Sequence, residues 1–120
     1  MNDFLFFTGG IAVPLAAFVI GIILRFKPPA RNSLFGFRNK LSMSSDELWY
    51  TAQKYCGRLL MAVFAPLTII SALVSMAVLG ADSNGKFIAI LVMTVVEIIA
   101  LAAVNIAAER RLKKEGERRG

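Results

Sequence analysis

Few side chains in this 120-residue sequence have types suited to chemistry. It has no histidine and a single cysteine, Cys56. A His/Cys metal centre, a Ser-His or Cys-His nucleophile pair and a disulfide are therefore all excluded within one chain. Two groups of polar residues remain. One surrounds Arg38, with Asn32, Gly36, Asn39 and Ser42 before it or after it and Trp49 and Gln53 further on. An arginine in such a setting can grip a phosphate or carboxylate through paired N–H bonds, and it can equally brace a fold against helix C-terminal carbonyls; both roles stay open. The other group is Glu97, an acid inside a long apolar run. A catalyst would need a general base, and the acids near Arg38 are Asp46 and Glu47, which are better explained as helix-start residues. No enzyme activity, metal or cofactor is expected.

The elements that must position these residues follow from composition. The chain is 57% hydrophobic, with a mean hydropathy of +0.64, too apolar for a soluble core of this length. Three apolar blocks, residues 4–24, 59–80 and 87–108, are each long enough to cross a hydrocarbon core of about 30 Å. The first lacks a basic leading region, carries Asp3 and runs too long for a secretory signal, so it reads as a retained transmembrane helix. The expected fold is an all-α integral membrane protein, a single three-span domain covering residues 1–120.

Orientation is read from lysine and arginine, which short cytoplasmic loops retain. Residues 25–58 hold seven of them and the tail, 109–120, holds six; the turn at 81–86 holds only Lys86. This places the N-terminus outside and the C-terminus in the cytoplasm. The net charge of +6 thus reports topology. The tail is interleaved with three glutamates and has no aromatic residues, so it reads as a partner of anionic lipid headgroups, and direct nucleic-acid binding is not expected.

The segment 25–58 is long for a structureless connector. Pro28 and Pro29 stop the first helix, and Ser44-Ser45-Asp46-Glu47 has the Ser-x-x-Glu spacing of a capping box. A cytoplasmic or interfacial amphipathic helix is expected from about Ser45 toward Arg58, as a fourth helix that could run on into the second span. Leu48, Ala52, Tyr55, Cys56 and Leu59 lie on one face of it. Trp49, Tyr50 and Tyr55 are expected at headgroup depth. Before it, Leu34, Phe35, Phe37 and Leu41 are apolar enough to dock on the membrane interface or the helix ends. Gly36 suits a turn with positive φ, and Arg38 would face the headgroup zone together with Asn32, Asn39 and Ser42.

The string NSLFGFRNKLSMSSDELWYTAQKYCG resembles the signature of the SdpI family of small bacterial membrane proteins, through Asn32, Gly36, Arg38, Ser42, Trp49 and Gly57 in order. The sequence departs at Asn39, where threonine is usual, and at Gln53, where asparagine is usual. The resemblance implies a multi-pass protein of the bacterial cytoplasmic membrane that protects a producing cell from a secreted, membrane-active toxin peptide. It also implies a signalling role, in which a cytoplasmic regulator such as a transcriptional repressor is sequestered at the membrane.

Independently of the family, a charged acid at the centre of a span costs about 2.5 to 3.5 kcal/mol, against about 4 to 7 kcal/mol returned by the twelve Leu, Ile, Val and Phe residues of the third span. The helix inserts, but Glu97 must face protein or water. Thr68 and Ser71 reach its depth on the antiparallel second span, where Ser75 continues their face, and Asn105 shares the face of Glu97 on the third. One reading is a protonated Glu97 hydrogen-bonded to Thr68 or Ser71, fixing helix packing. The other is a midplane proton or ion site in a small proton-linked transporter or exporter, which would need a homo-oligomer to enclose a pathway. Gly9, Gly10 and Ala17-x-x-x-Gly21 offer surfaces for close packing. A lipid-headgroup binder or, ranked last, a lipid-modifying enzyme built on the Arg38 loop is a further alternative. Cys56 reads as a small buried hydrophobe.

Overall fold

The computed structural model describes residues 3–32 and 36–119; the docking expected of Leu34 and Phe35 lies outside the described residues. Three α-helices account for most of the chain: α1 (Asp3–Phe26), α2 (Asp46–Ala77) and α3 (Ser83–Arg119). All three are long and apolar enough to cross a membrane. A short 3₁₀ turn, Ser42–Ser44, lies between α1 and α2.

The fourth helix expected between the first two spans does not exist as a separate element. Its residues are the opening turns of α2, a single helix of 32 residues. At 1.5 Å per residue this helix is about 48 Å long, so roughly a third of it projects beyond a hydrocarbon core of about 30 Å. Continuity has a physical cause. The buried positions Trp49, Ala52, Gln53, Cys56, Gly57, Leu60, Phe64, Ser71 and Ser75 form one stripe at three- and four-residue steps, or multiples of them, along the helix, and neither a cap nor a pre-proline stop interrupts it near Arg58. The start signal is displaced by one residue from the capping box: Ser45, not Ser44, is the N-cap, its hydroxyl accepting from the Leu48 N–H at 3.1 Å, while the Ser44 hydroxyl donates to the Leu41 carbonyl.

At the opposite end, Asp82 starts α3 by accepting from the Gly85 N–H at 2.8 Å. Helix α3 does not stop where its apolar run stops. It continues to Arg119, so the basic tail is helical. Val104, Ala108 and Leu112 are buried at four-residue spacing across the change from apolar to charged sequence, and that stripe carries the helix outward.

Helix α2 is the central element, with α1 packed along it; α3 also packs on α2 and touches α1 little. The tightest crossing is glycine on glycine. A Cβ on Gly57 would sit 2.5 Å from the Arg25 nitrogen and 2.6 Å from the Gly21 carbonyl oxygen, and one on Gly21 would sit 2.8 Å from the Leu60 Cβ. Around this crossing, on both sides of it, Ala17, Leu24, Cys56, Leu60, Phe64, Val104 and Ala108 form the core. Much of the remaining apolar surface, including Ile69, Ile70, Leu73, Ile98 and Ile99, points outward, as suits helices solvated by lipid.

Candidate functional site

The segment between α1 and α2 folds back onto the first two turns of α2 and is held there by side-chain-to-backbone hydrogen bonds. Trp49 is fully buried, and its indole N–H donates to the Pro29 carbonyl at 2.8 Å. It therefore does not sit in an aromatic belt; it anchors the exit from α1. Gln53 is also fully buried. Its Oε1 accepts from the Phe37 N–H at 2.6 Å, and its Nε2 donates to the Phe37 carbonyl at 2.6 Å. One side-chain amide thus satisfies both backbone groups of a single residue, as a neighbouring strand would. Gly36 makes this approach possible. Its φ is +107°, and a Cβ there would lie 2.7 Å from Gln53 Oε1 and 3.2 Å from the Trp49 ring.

Beyond Phe37 the chain closes a tight loop. The Asn39 N–H donates to the Ser42 hydroxyl at 2.8 Å, and the Ser42 N–H donates to Asn39 Oδ1 at 2.7 Å. The Ser42 hydroxyl, fully buried, donates in turn toward the Asn39 carbonyl at 3.1 Å. Arg31 ties the start of the segment to its end, donating to the Met43 carbonyl at 3.0 Å and lying 3.4 Å from Asp46. Asn32 donates to the Ala30 carbonyl at 2.8 Å.

The polar residues expected to face the headgroups together therefore separate. Ser42 and Gln53 are spent on holding the backbone, and Asn39 is paired with Ser42. Arg38 alone stands exposed, and it has no hydrogen-bond or ion-pair partner among the described residues, so it braces no helix end. The sequence signal for Arg31 and for the Gln53 clamp was weak, because neither a salt bridge across fifteen residues nor a backbone-mimicking amide has a spacing rule.

Helix α3 completes this end of the molecule. Leu112 is fully buried, and Gly116 packs on Leu41, where a Cβ would meet the Leu41 side chain at 3.3 Å. The Arg111 guanidinium lies over the Tyr55 ring, 5.1 Å from its centroid. The i, i+4 run Ala108, Leu112, Gly116 was the available signal that the tail docks.

Glu97 is the second candidate. It is 6% exposed and lines a cavity of about 190 Å³ between α1 and α3 with Phe6, Gly10, Val13, Met93 and Thr94. The expected hydrogen bonds to the second span are not made. The Thr68 hydroxyl donates to its own helix, at the Phe64 carbonyl 2.6 Å away, because a threonine in a helix reaches the carbonyl one turn back more readily than a neighbouring helix. Ser71 is buried and lines a cleft with Glu97 on the α2 side. Ser75 is fully buried with its hydroxyl unsatisfied, pressed against Gly10 too closely to admit a Cβ there. Asn105 is exposed and lines a different cleft, with Gly36, Phe37 and Cys56.

The pattern of the SdpI/YfhL protein family matches residues 30–106, more than half of the chain. The chain belongs to that family. The match begins directly after Pro29, whose carbonyl receives the Trp49 indole, and runs through the folded loop, all of α2 and most of α3. In this member of the SdpI/YfhL family, the matched region thus contains both the clamped loop and Glu97. No curated protein and no solved structure matches the chain significantly.

Proposed function

We propose that this SdpI/YfhL-family membrane protein acts as a bacterial immunity and signalling protein of the SdpI type. In this reading it lies in the cytoplasmic membrane with its N-terminus outside and its basic end in the cytoplasm. It confers resistance to a membrane-active toxin peptide and holds a cytoplasmic regulator, such as a transcriptional repressor, at the membrane. The observation that carries the reading is Arg38. It is an exposed guanidinium, without a partner among the described residues, on a loop whose backbone is fixed on both sides, by Gln53 at Phe37 and by Ser42 at Asn39. A rigid mount lowers the entropy lost when an acidic group on a partner is gripped, and a guanidinium binds a carboxylate through two parallel N–H bonds. The thirteen-to-one bias of basic residues toward this end supports the orientation.

The test is survival of a sensitive bacterial host, expressing the protein, against the secreted toxin peptide of an SdpI-type system. Arg38→Ala abolishes protection while membrane levels of the protein stay at wild type. Full protection by that variant overturns the loop-site reading.

A second reading rests on a different observation, the carboxyl of Glu97, which is buried and has no hydrogen-bond partner among the described residues. An ionisable residue facing the bundle interior is the usual mark of an ion or proton pathway, and an oligomer of this chain would act as a proton-linked exporter. Resistance then collapses with the proton gradient and in Glu97→Gln. A glutamine variant with full resistance removes this reading.

A further inference from the structure

Two clefts lie side by side where α2 and α3 leave the apolar region, and they differ in one respect. The first is lined by Arg25, Thr51, Lys54, Tyr55, Arg58 and Glu115. It holds three cations and one acid, the Glu115 carboxylate. The second, a cleft of about 500 Å³, is lined by Tyr55, Arg58, Leu59, Ala107 and Arg111. It carries two guanidiniums and no acid.

Position makes that imbalance meaningful. Arg58 directly precedes the apolar run of α2, and Arg111 comes three residues after the end of that of α3, an offset of about 4.5 Å along a helix. Both therefore stand at the depth where the hydrocarbon core meets the headgroups. Arg111 is not a free-swinging side chain, since it is stacked on the Tyr55 ring at 5.1 Å, a contact that holds a guanidinium plane in place. Arg58 is exposed and has no hydrogen-bond or ion-pair partner among the described residues. Leu59 and Ala107 form the apolar part of the cleft wall. A ligand that suits this lining has an anionic head for two arginines and an apolar body that continues along the groove between α2 and α3.

We infer that this cleft binds one anionic phospholipid, its phosphate held by Arg58 and Arg111 and its first acyl segment lying against Leu59 and Ala107. Charge complementarity selects the headgroup, because a zwitterionic lipid brings its own cation to a site that already holds two. The groove wall selects a lipid over a soluble phosphate. Glu115 is turned to the neighbouring cleft, where it pairs with Arg118 at 3.3 Å, and Glu109 is exposed outside the lining.

The experiment is native mass spectrometry of the full chain released from detergent with phosphatidylglycerol or phosphatidylcholine added in series. The wild type retains one phosphatidylglycerol at about tenfold lower lipid concentration than phosphatidylcholine. Arg58→Gln together with Arg111→Gln erases that preference, and Arg58→Gln alone, on an exposed side chain, lowers it severalfold with helicity unchanged. Lys113→Gln with Lys114→Gln removes the same charge from exposed positions outside the cleft and leaves the preference intact. Equal loss in the lysine pair would show diffuse surface attraction and overturn the site. A wild type without preference would overturn it as well, and so would displacement of the lipid by millimolar inorganic phosphate.

Discussion

The two halves of this molecule treat polar groups in opposite ways. At the basic end, Trp49, Gln53, Asn39 and Ser42 each find a backbone partner, and side chains rather than a strand ladder fix the described part of the loop they hold. In the apolar half, Ser75 is buried with its hydroxyl unsatisfied, and the buried Glu97 makes no hydrogen bond among the described residues. An unpaired polar group in a low-dielectric interior is costly, so the first half is built for rigidity and the second keeps an unspent carboxyl. The difference teaches that the arginine on the loop and the acid in the span are two separate functional questions.

The glycine crossing that joins both halves offers the strongest way to break the comparison. Gly57→Ala places a methyl group on the Gly21 and Arg25 backbone, which cannot retreat as a flexible side chain would. The expected loss is about 3 kcal/mol, seen as a lower melting temperature in detergent and a lower folded yield. Both regions fail together in this variant, since α1 is displaced from α2.

Gln53→Leu breaks one region only. It removes both hydrogen bonds to Phe37, strands that residue's half-buried N–H and leaves its carbonyl only the long contact from the Ser42 hydroxyl at 3.4 Å, costing about 2 kcal/mol. Proteolysis within residues 30–44 accelerates, and protection by Arg38 weakens, while the helical spectrum is retained. A variant as resistant to protease as the wild type would show that the clamp is not what fixes the loop.

Glu97→Gln is the smallest effect and the sharpest contrast. No hydrogen bond is lost with the carboxyl, so stability changes by no more than about 0.5 kcal/mol, measured by thermal unfolding. A loss several times larger would mean that Glu97 is a packing residue with a partner, which would return the two halves to the same design.

The comparison also shows which parts of the fold were legible before the tertiary structure. The three spans follow from runs of apolar residues, and the turn at Gly36 follows from a glycine between two phenylalanines whose φ is indeed positive. The burial of Cys56 was equally readable from its place on the apolar face. The boundary between interfacial helix and second span was not. Helix continuation across Arg58 depends on whether the buried stripe meets partners on both sides of it, and α1 and the loop supply them. For the same reason the tail reads from sequence as a partner of lipid headgroups alone, although Leu112 and Gly116 are docking positions within the protein. The polar cluster around Arg38 was recognised as a group, but its members were assigned one direction, and the structure divides them into backbone anchors and a single exposed arginine.

What the sequence alone determined are the properties set by local composition: the number of spans, the uneven charge, the missing catalytic residue types and the family pattern. These need no knowledge of neighbours, because transfer into lipid and attraction to headgroups depend on each segment's own side chains. Only the tertiary structure decided that Gln53 clamps Phe37, that Trp49 anchors Pro29, that Arg111 lies over Tyr55 beside Arg58, and that Glu97 lines a cavity between α1 and α3. Each of these is a contact between elements, fixed by how α1, α2 and α3 cross at the Gly21–Gly57 contact, and no spacing along one helix encodes where another helix will lie.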